Sequence, residues 1–137
     1  MGSILLVEAD SVIGEQWSAA LTAEGHAVFI ATTMRDVLPV IREGGIDVVV
    51  IDAYDPRAGV VELARSIEAV PDAPPLILVS GSPSAPEISA RIGAAAFLTK
   101  PCDLADLMAS VSRVSGAVRP VLVPDDDLSG PTIVVQR

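Results

Sequence analysis

The sequence predicts an α/β fold, a doubly wound sheet of five parallel strands in one domain. Five apolar runs of four to seven residues are each followed by a segment with apolar residues at helical spacing. The third run, 46–52, is almost continuous Val and Ile, as expected for a central parallel strand that is covered on both faces. The length of 137 residues and the hydrophobic content of 50% suit a single packed domain.

The first strand and helix are predicted from residue 4 to about residue 25. Ile4 to Val7 is the strand, and Asp10 or Ser11 can cap the helix that follows. Gly25 stands where a left-handed residue ends a helix. The apolar face of this helix comprises Ile13, Trp17, Ala20 and Leu21.

The second strand is predicted at 27–31, and Thr33 can cap the helix after it. Pro39 lies inside this helix, which predicts a kink or a shortened first turn. The third strand, 46–52, ends on Asp52. The third helix follows, with Val60, Leu63, Ala64 and Ile67 on its apolar face.

The last two strands are predicted at 76–79 and 95–99. The helix between them must be short, since only Ile88 and Ile92 support it. Asp103 can cap a final helix whose apolar face includes Leu107 and Val111. After it the pattern changes, so we divide the chain into a domain at 1–117 and an extended tail at 118–137, where Pro, Val and Asp dominate.

Composition excludes several partners. A formal net charge of −9 disfavours nucleic acids and anionic membranes. The single cysteine, Cys102, forms no internal disulfide or zinc cluster. No apolar run reaches the roughly 20 residues of a membrane span, and no signal peptide is apparent, so we expect a cytoplasmic protein. His26, which follows a helix end, is interpreted as a surface residue.

Polar side chains collect where the predicted strands end. Glu8 and Asp10 follow the first strand, Asp52 ends the third, Ser80 follows the fourth and Lys100 follows the fifth. In open parallel sheets, ligands bind beyond the carboxyl ends of the strands. Carboxylates suit Mg²⁺, whereas Lys and Ser can hold phosphoryl oxygens. The rim therefore predicts a site for a metal ion and a phosphoryl group.

On these residues the chain resembles the receiver domains of two-component response regulators. The resemblance covers about residues 3 to 116 and implies a flavodoxin-like sheet with strand order 2-1-3-4-5 and a cis bond between Lys100 and Pro101. The segments that carry it are Ile4-Leu5-Leu6-Val7-Glu8-x-Asp10, Asp47 to Asp52 with Pro56, Leu78-Val79-Ser80-Gly81, and Gly93 to Pro101.

The resemblance implies a role for each rim residue. Asp52 is the expected phosphoacceptor, Lys100 contacts the phosphoryl oxygen, and Ser80 is the switch hydroxyl. Phe97 fills the aromatic switch position, and Tyr54 lends its backbone carbonyl to the metal. The implied partners are a histidine kinase or phosphotransfer protein and a downstream protein, with this chain a monomer or weak homodimer.

One position departs from the family pattern. The second of the two acids after the first strand is Ala9, so Mg²⁺ would be held, weakly, by Glu8, Asp10, Asp52 and the Tyr54 carbonyl. In an extended segment neighbouring side chains point apart, so Asp10 is no automatic replacement for the missing acid. An alternative function follows from this departure: a pseudo-receiver that binds proteins without being phosphorylated.

We do not expect an enzyme. Haloacid-dehalogenase-like phosphatases use an Asp-x-Asp pair after their first strand, where this chain has Glu8-Ala9-Asp10. Flavodoxin-like mononucleotide binders share the fold, but their first loop cradles phosphate with Ser, Thr and Gly. The acidic first loop of this chain would repel such a phosphate.

Overall fold

The computed structural model describes residues 2–117 and the backbone of two short strands beyond them. Five strands alternate with five α-helices, and a 3₁₀ turn at Met34–Asp36 precedes the second helix. The elements are β1 Ser3–Val7, α1 Ser11–Ala23, β2 Ala27–Ala31, α2 Val37–Glu43, β3 Val48–Asp52, α3 Val60–Glu68, β4 Leu76–Ser80, α4 Ala85–Arg91, β5 Ala96–Thr99, α5 Leu104–Ala117, β6 Pro120–Val123 and β7 Thr132–Val135.

The main sheet has the order β2-β1-β3-β4-β5, and every neighbouring pair is parallel. The predicted fold class and strand order are thereby confirmed. In the register of the sheet, Asp52 lies beside Val79, and Ser80 lies beside Thr99. The polar residues at the ends of β3, β4 and β5 therefore share one rim.

Helices cover both faces of the sheet. Four of the five residues of β3 are buried, which explains its uninterrupted Val and Ile. One face packs against α2, α3 and α4, through side chains such as Val37, Leu63 and Ile88. The other packs against α1 and α5, through Leu21 and Leu107. The rim is thus built on a rigid, close-packed support.

Residues at the helix ends determine where several helices begin or end. The Asp10 carboxylate caps α1, and Gly25 adopts a left-handed φ of 96° just beyond it. Pro39 falls in the first turn of α2, where backbone N–H groups have no partner within the helix. The N–H that proline lacks therefore costs no helical hydrogen bond. The first turn of the helix predicted after Thr33 is a 3₁₀ turn, so α2 itself begins only at Val37. Thr33 makes no backbone cap; its hydroxyl donates to the Asp36 carboxylate at 2.9 Å.

The prediction that His26 lies on the surface is wrong. His26 is buried, and its Nδ1 accepts a hydrogen bond from the backbone N–H of Gly2 at 3.2 Å. The chain folds back after α1 so that β2 starts beside β1, which brings the imidazole against the amino end of the sheet. This contact spans 24 positions, so nothing in the sequence around His26 could indicate it.

Strand β2 forms one edge of the main sheet. Among the described strands it pairs only with β1, and Phe29 and Ile30 are 49% and 41% exposed. In the tail, β6 and β7 form a separate antiparallel pair in which Leu122 lies opposite Ile133. Among the described residues, no helix is long and apolar enough to span a membrane.

Candidate functional site

A cleft of about 670 Å³ opens at the carboxyl rim of the sheet. Because all five strands run parallel, their last residues meet at this rim. The loops after β1, β3, β4 and β5 therefore supply its walls. The residues that line it include Glu8, Asp10, Asp52, Tyr54, Ser82 and Lys100.

The centre of the site is an ion pair between Asp52 and Lys100. The Lys100 Nζ lies 2.7 Å from the Asp52 Oδ1, and the two side chains are 33% and 2% exposed. A carboxylate so deeply buried is stable only beside a compensating charge. Lys100 is the sole lysine in the chain, and its compact ammonium supplies that charge.

The backbone holds Lys100 in this position. Its N–H donates to the carbonyl of Ser80 at 3.2 Å, which continues the β4–β5 pairing beyond the last strand residue. Gly81 leaves a gap beside Lys100 that a Cβ would fill, since a Cβ at Gly81 would lie 3.4 Å from both the Cβ and the carbonyl oxygen of Lys100. The Ser80 side chain is fully buried, and its Oγ accepts the N–H of Ser82 at 3.2 Å.

A second carboxyl group, Glu8, is buried beside Asp52. Its Oε2 accepts the N–H of Asp10 at 3.0 Å. Glu8 Oε1 and Asp52 Oδ2 are the buried side-chain atoms that lack a hydrogen-bond partner among the described residues. Burial, followed by the adjacent Asp52 carboxyl group, raises the pKa of Glu8 to about 7. Burial and a like-charged neighbour both disfavour the ionised form of Glu8.

Asp10 is engaged elsewhere. Its Oδ1 accepts the N–H groups of Val12 and Ile13, at 2.9 and 3.2 Å, as the cap of α1. The side chain is exposed, and Ala9 beside it contributes no ligand. In the described part of the chain, no three acidic, His or Cys side chains converge as a metal cluster. The role of Asp10 as a metal ligand stays a prediction.

The donor set still fits Mg²⁺. The two orphaned oxygens, on Glu8 and Asp52, belong to hard carboxylate ligands. Mg²⁺ commonly binds one or two carboxylates and keeps several waters, so two are sufficient. A divalent ion here would offset the negative charge of the two neighbouring carboxylates. Glu8 and Asp52 are therefore the side chains that would hold it.

The remaining predicted residues lie around this centre. The Tyr54 side chain is 98% exposed at the mouth of the cleft. Phe97 is half-buried in β5 and packs against the core on the side of α3 and α4. Their roles as carbonyl donor and switch residue remain predictions. The bond between Lys100 and Pro101 is cis, as the resemblance implies.

Sequence reasoning missed two contacts of the site. Arg57, at the rim of the cleft, pairs bidentately with Asp55 at 3.0 and 3.1 Å, which lowers the pKa of that carboxyl group. Trp17 was assigned only to the core, yet its ring centroid lies 5.6 Å from the Lys100 Nζ. The opposite charges of Asp55 and Arg57, two positions apart in sequence, could have indicated their ion pair. No sequence signal links α1 to the loop after β5.

Fold and rim together define a class, a doubly wound α/β domain with an acidic cleft and a lysine paired to its central carboxylate. The chain matches the family model described as "Response regulator receiver domain" over residues 4–112, and it belongs to that family. It is the receiver domain of a response regulator, as the sequence predicted.

Individual relatives agree with this assignment. The chain is 30% identical over 125 residues to the response regulator MprA of Mycolicibacterium vanbaalenii, an alignment that covers 90% of this chain and 52% of MprA. It thus spans about half the length of that relative.

Two solved structures are similar to it. The non-phosphorylated HemR receiver domain of Leptospira biflexa has a TM-score of 0.76 at 29% identity, covering 88% of this chain and 98% of that one. A CheY-like receiver domain protein of Methanospirillum hungatei has a TM-score of 0.74 at 26% identity, covering 84% and 94%.

Proposed function

We propose that this chain is a phosphoacceptor in two-component signalling, receiving a phosphoryl group on Asp52 from a histidine kinase or phosphotransfer protein. The observation that carries the proposal is the buried Asp52 carboxylate, which ends the central strand and pairs with Lys100 at 2.7 Å. The chemistry is covalent transfer, in which a carboxylate oxygen attacks phosphorus and the donor leaves with its electron pair. The chain is a substrate of the transfer and no enzyme in its own right.

Each neighbour of Asp52 has a part in this proposal. Lys100 neutralises charge on the phosphoryl oxygens, and the buried Ser80 hydroxyl gives up its bond to Ser82 to follow them. Mg²⁺, when bound by Glu8 and Asp52, neutralises further charge at the rim. The altered rim then changes which surface a downstream protein reads.

Mass spectrometry tests the proposal directly. Acetyl phosphate or phosphoramidate with Mg²⁺ should add about 80 Da, the mass of one phosphoryl group, to the wild-type chain. Asp52→Asn, which keeps the shape of the side chain, should abolish the addition. Asp55→Asn is the matched control at the same cleft and should leave it unchanged. An unmodified wild-type mass under these conditions would refute phosphoacceptor function.

A second function is favoured by Ala9 and by the existing ion pair. With one acid fewer, the site attracts Mg²⁺ less, and Lys100 already occupies Asp52 Oδ1. A pseudo-receiver would use the same fold as a protein-binding module that is independent of phosphorylation. Under that alternative, Asp52→Asn would bind the downstream partner as well as the wild type does, and neither protein would gain mass.

A further inference from the structure

Trp17, in helix α1, contacts the ammonium group of Lys100. Its side chain is half-buried in α1 against the core formed with α5, and its ring centroid lies 5.6 Å from the Lys100 Nζ. We propose that Trp17 is a positioning residue: its indole face holds the Lys100 ammonium at Asp52 and thereby fixes where that charge meets an incoming phosphoryl group. The claim about the incoming phosphoryl group rests on the proposed function. The claim that Trp17 holds the Lys100 ammonium at Asp52 does not.

A lysine needs such support. Its flexible four-carbon stem samples many rotamers, so a single salt bridge leaves much of its motion free. Here the backbone N–H of Lys100 is bonded to the Ser80 carbonyl, and the ammonium contacts the Asp52 carboxylate. The indole adds a further contact within the roughly 6 Å over which an aromatic face attracts a cation.

A contact between a cation and an aromatic face suits a rim that lacks one carboxylate. Ala9 removes a carboxylate that would otherwise help to attract the ammonium. An aromatic face also attracts a cation, through its quadrupole, but it carries no net charge. It therefore holds Lys100 with less repulsion against an anionic phosphoryl group than a carboxylate would add. Trp17 compensates in part for the missing acid.

The composition of the chain makes the contact measurable. Trp17 is the single tryptophan and Lys100 the single lysine, so each gives one unambiguous signal. In the full chain labelled with ¹³C- and ¹⁵N-lysine, the ε-methylene protons of Lys100 should resonate upfield of their position in urea, because they lie over the ring. Trp17→Phe, which keeps an aromatic face, should retain most of the shift. Trp17→Leu should lose it.

A double-mutant cycle measures the strength of the contact. Trp17→Leu and Lys100→Met, alone and combined, should show coupling of roughly two- to thirtyfold in the unfolding equilibrium constant. Trp17→Phe should preserve part of the native coupling to Lys100. A merely structural Trp17 would give no coupling, and the Lys100 ε-methylene protons would show the same shift in the native protein as in urea. Either result would overturn the proposal, and the wild-type shift decides it even if Trp17→Leu does not fold.

Labelling by acetyl phosphate then tests the functional half. Trp17→Leu should be phosphorylated roughly two- to thirtyfold more slowly than wild type, and Trp17→Phe should be close to wild type. Equal rates for all three proteins would mean that Trp17 does not position Lys100 for transfer. If the wild type itself gains no phosphoryl group, the proposed function fails, while the NMR shift and the coupling still report on Trp17.

Discussion

The two sides of the carboxyl rim differ in how firmly their side chains are held. On the side of β4 and β5, Ser80 is fully buried and Lys100 is held by its backbone hydrogen bond and by Asp52. On the side of β1, Ala9 contributes nothing and Asp10 is turned towards a helix, so that Glu8 alone faces Asp52.

This difference separates two kinds of binding within one cleft: a phosphoryl anion on the side of β4 and β5, and a cation on the side of β1. The groups suited to a phosphoryl anion, Ser80 and Lys100, are buried or paired, whereas those suited to a cation are reduced to the two carboxyl groups of Glu8 and Asp52. The departure from the family pattern therefore concerns charge on one side of Asp52 and leaves the other side intact. Four substitutions can break or sharpen this contrast.

Lys100→Met should have the largest effect. It leaves the buried Asp52 carboxylate without a countercharge and should lower the free energy of unfolding at pH 7 by roughly 2–3 kcal/mol, less than for a fully buried pair because Lys100 is one-third exposed. Urea denaturation measures this. Combining it with Asp52→Asn should recover most of the loss. A cost below about 0.5 kcal/mol would mean that the pair is as weak as a surface ion pair.

Glu8→Gln tests the side of β1 through its pH dependence. The fold raises the pKa of this acid from 4.5 to about 7, so it favours the protonated form. The stability that this provides is complete below pH 4.5 and is lost as the pH rises through 7.

Glu8→Gln, which is always neutral, should therefore be more stable than wild type at pH 8 by about 1–2 kcal/mol. The difference between the two proteins should vanish near pH 4. Urea denaturation at both pH values, in a metal-free buffer, measures this. Equal stabilities at pH 8 would show that Glu8 ionises freely in the folded protein.

Ala9→Asp should restore a cation ligand. We expect it to tighten Mg²⁺ binding at least about tenfold, which corresponds to roughly 1.4 kcal/mol. Trp17 fluorescence or amide NMR shifts during a Mg²⁺ titration would measure both proteins. Ala9→Asn is the control for added volume without charge. Tight and equal affinity in wild type and Ala9→Asp would show that the carboxylates already present are sufficient, and would remove the main support for the pseudo-receiver.

Asp10 gives the smallest effect and the sharpest distinction between a cap and a ligand. Asp10→Ala should cost about 1 kcal/mol of stability, because the N–H groups of Val12 and Ile13 lose their acceptor. Asp10→Asn keeps an oxygen in the same place and should retain most of that stability. If Asp10→Asn nonetheless weakens Mg²⁺ binding, Asp10 is a metal ligand after all.

The sheet and its rim could be predicted because their signals are periodic and local. Alternating patterns gave the order of strands and helices, and the carboxyl-end rule gathered Asp52, Ser80 and Lys100 without knowledge of any distance. The cap at Asp10 was equally readable, since capping depends on neighbours in the chain.

Contacts between elements remote in the chain could not be predicted in this way. Trp17 meets Lys100 only because α1 and the loop after β5 lie over the same end of the sheet, 83 positions apart in sequence. His26 is buried for the same reason, by a partner at the amino end of another strand. The raised pKa of Glu8 depends on burial and on a carboxyl neighbour from another strand, which no spacing encodes.

The edge strand β2 has a consequence for the colloidal behaviour of this protein. Its Phe29 and Ile30 side chains are partly exposed, and its sequence, Ala-Val-Phe-Ile-Ala, contains none of the charges or prolines that usually discourage pairing with another sheet. We expect mutual repulsion, from a net charge of −9 on each copy, to oppose such pairing. That repulsion is screened within about 10 Å at 0.1 M salt and within about 3 Å at 1 M. The protection of this edge against pairing with a second copy should therefore weaken as the ionic strength of the solution rises.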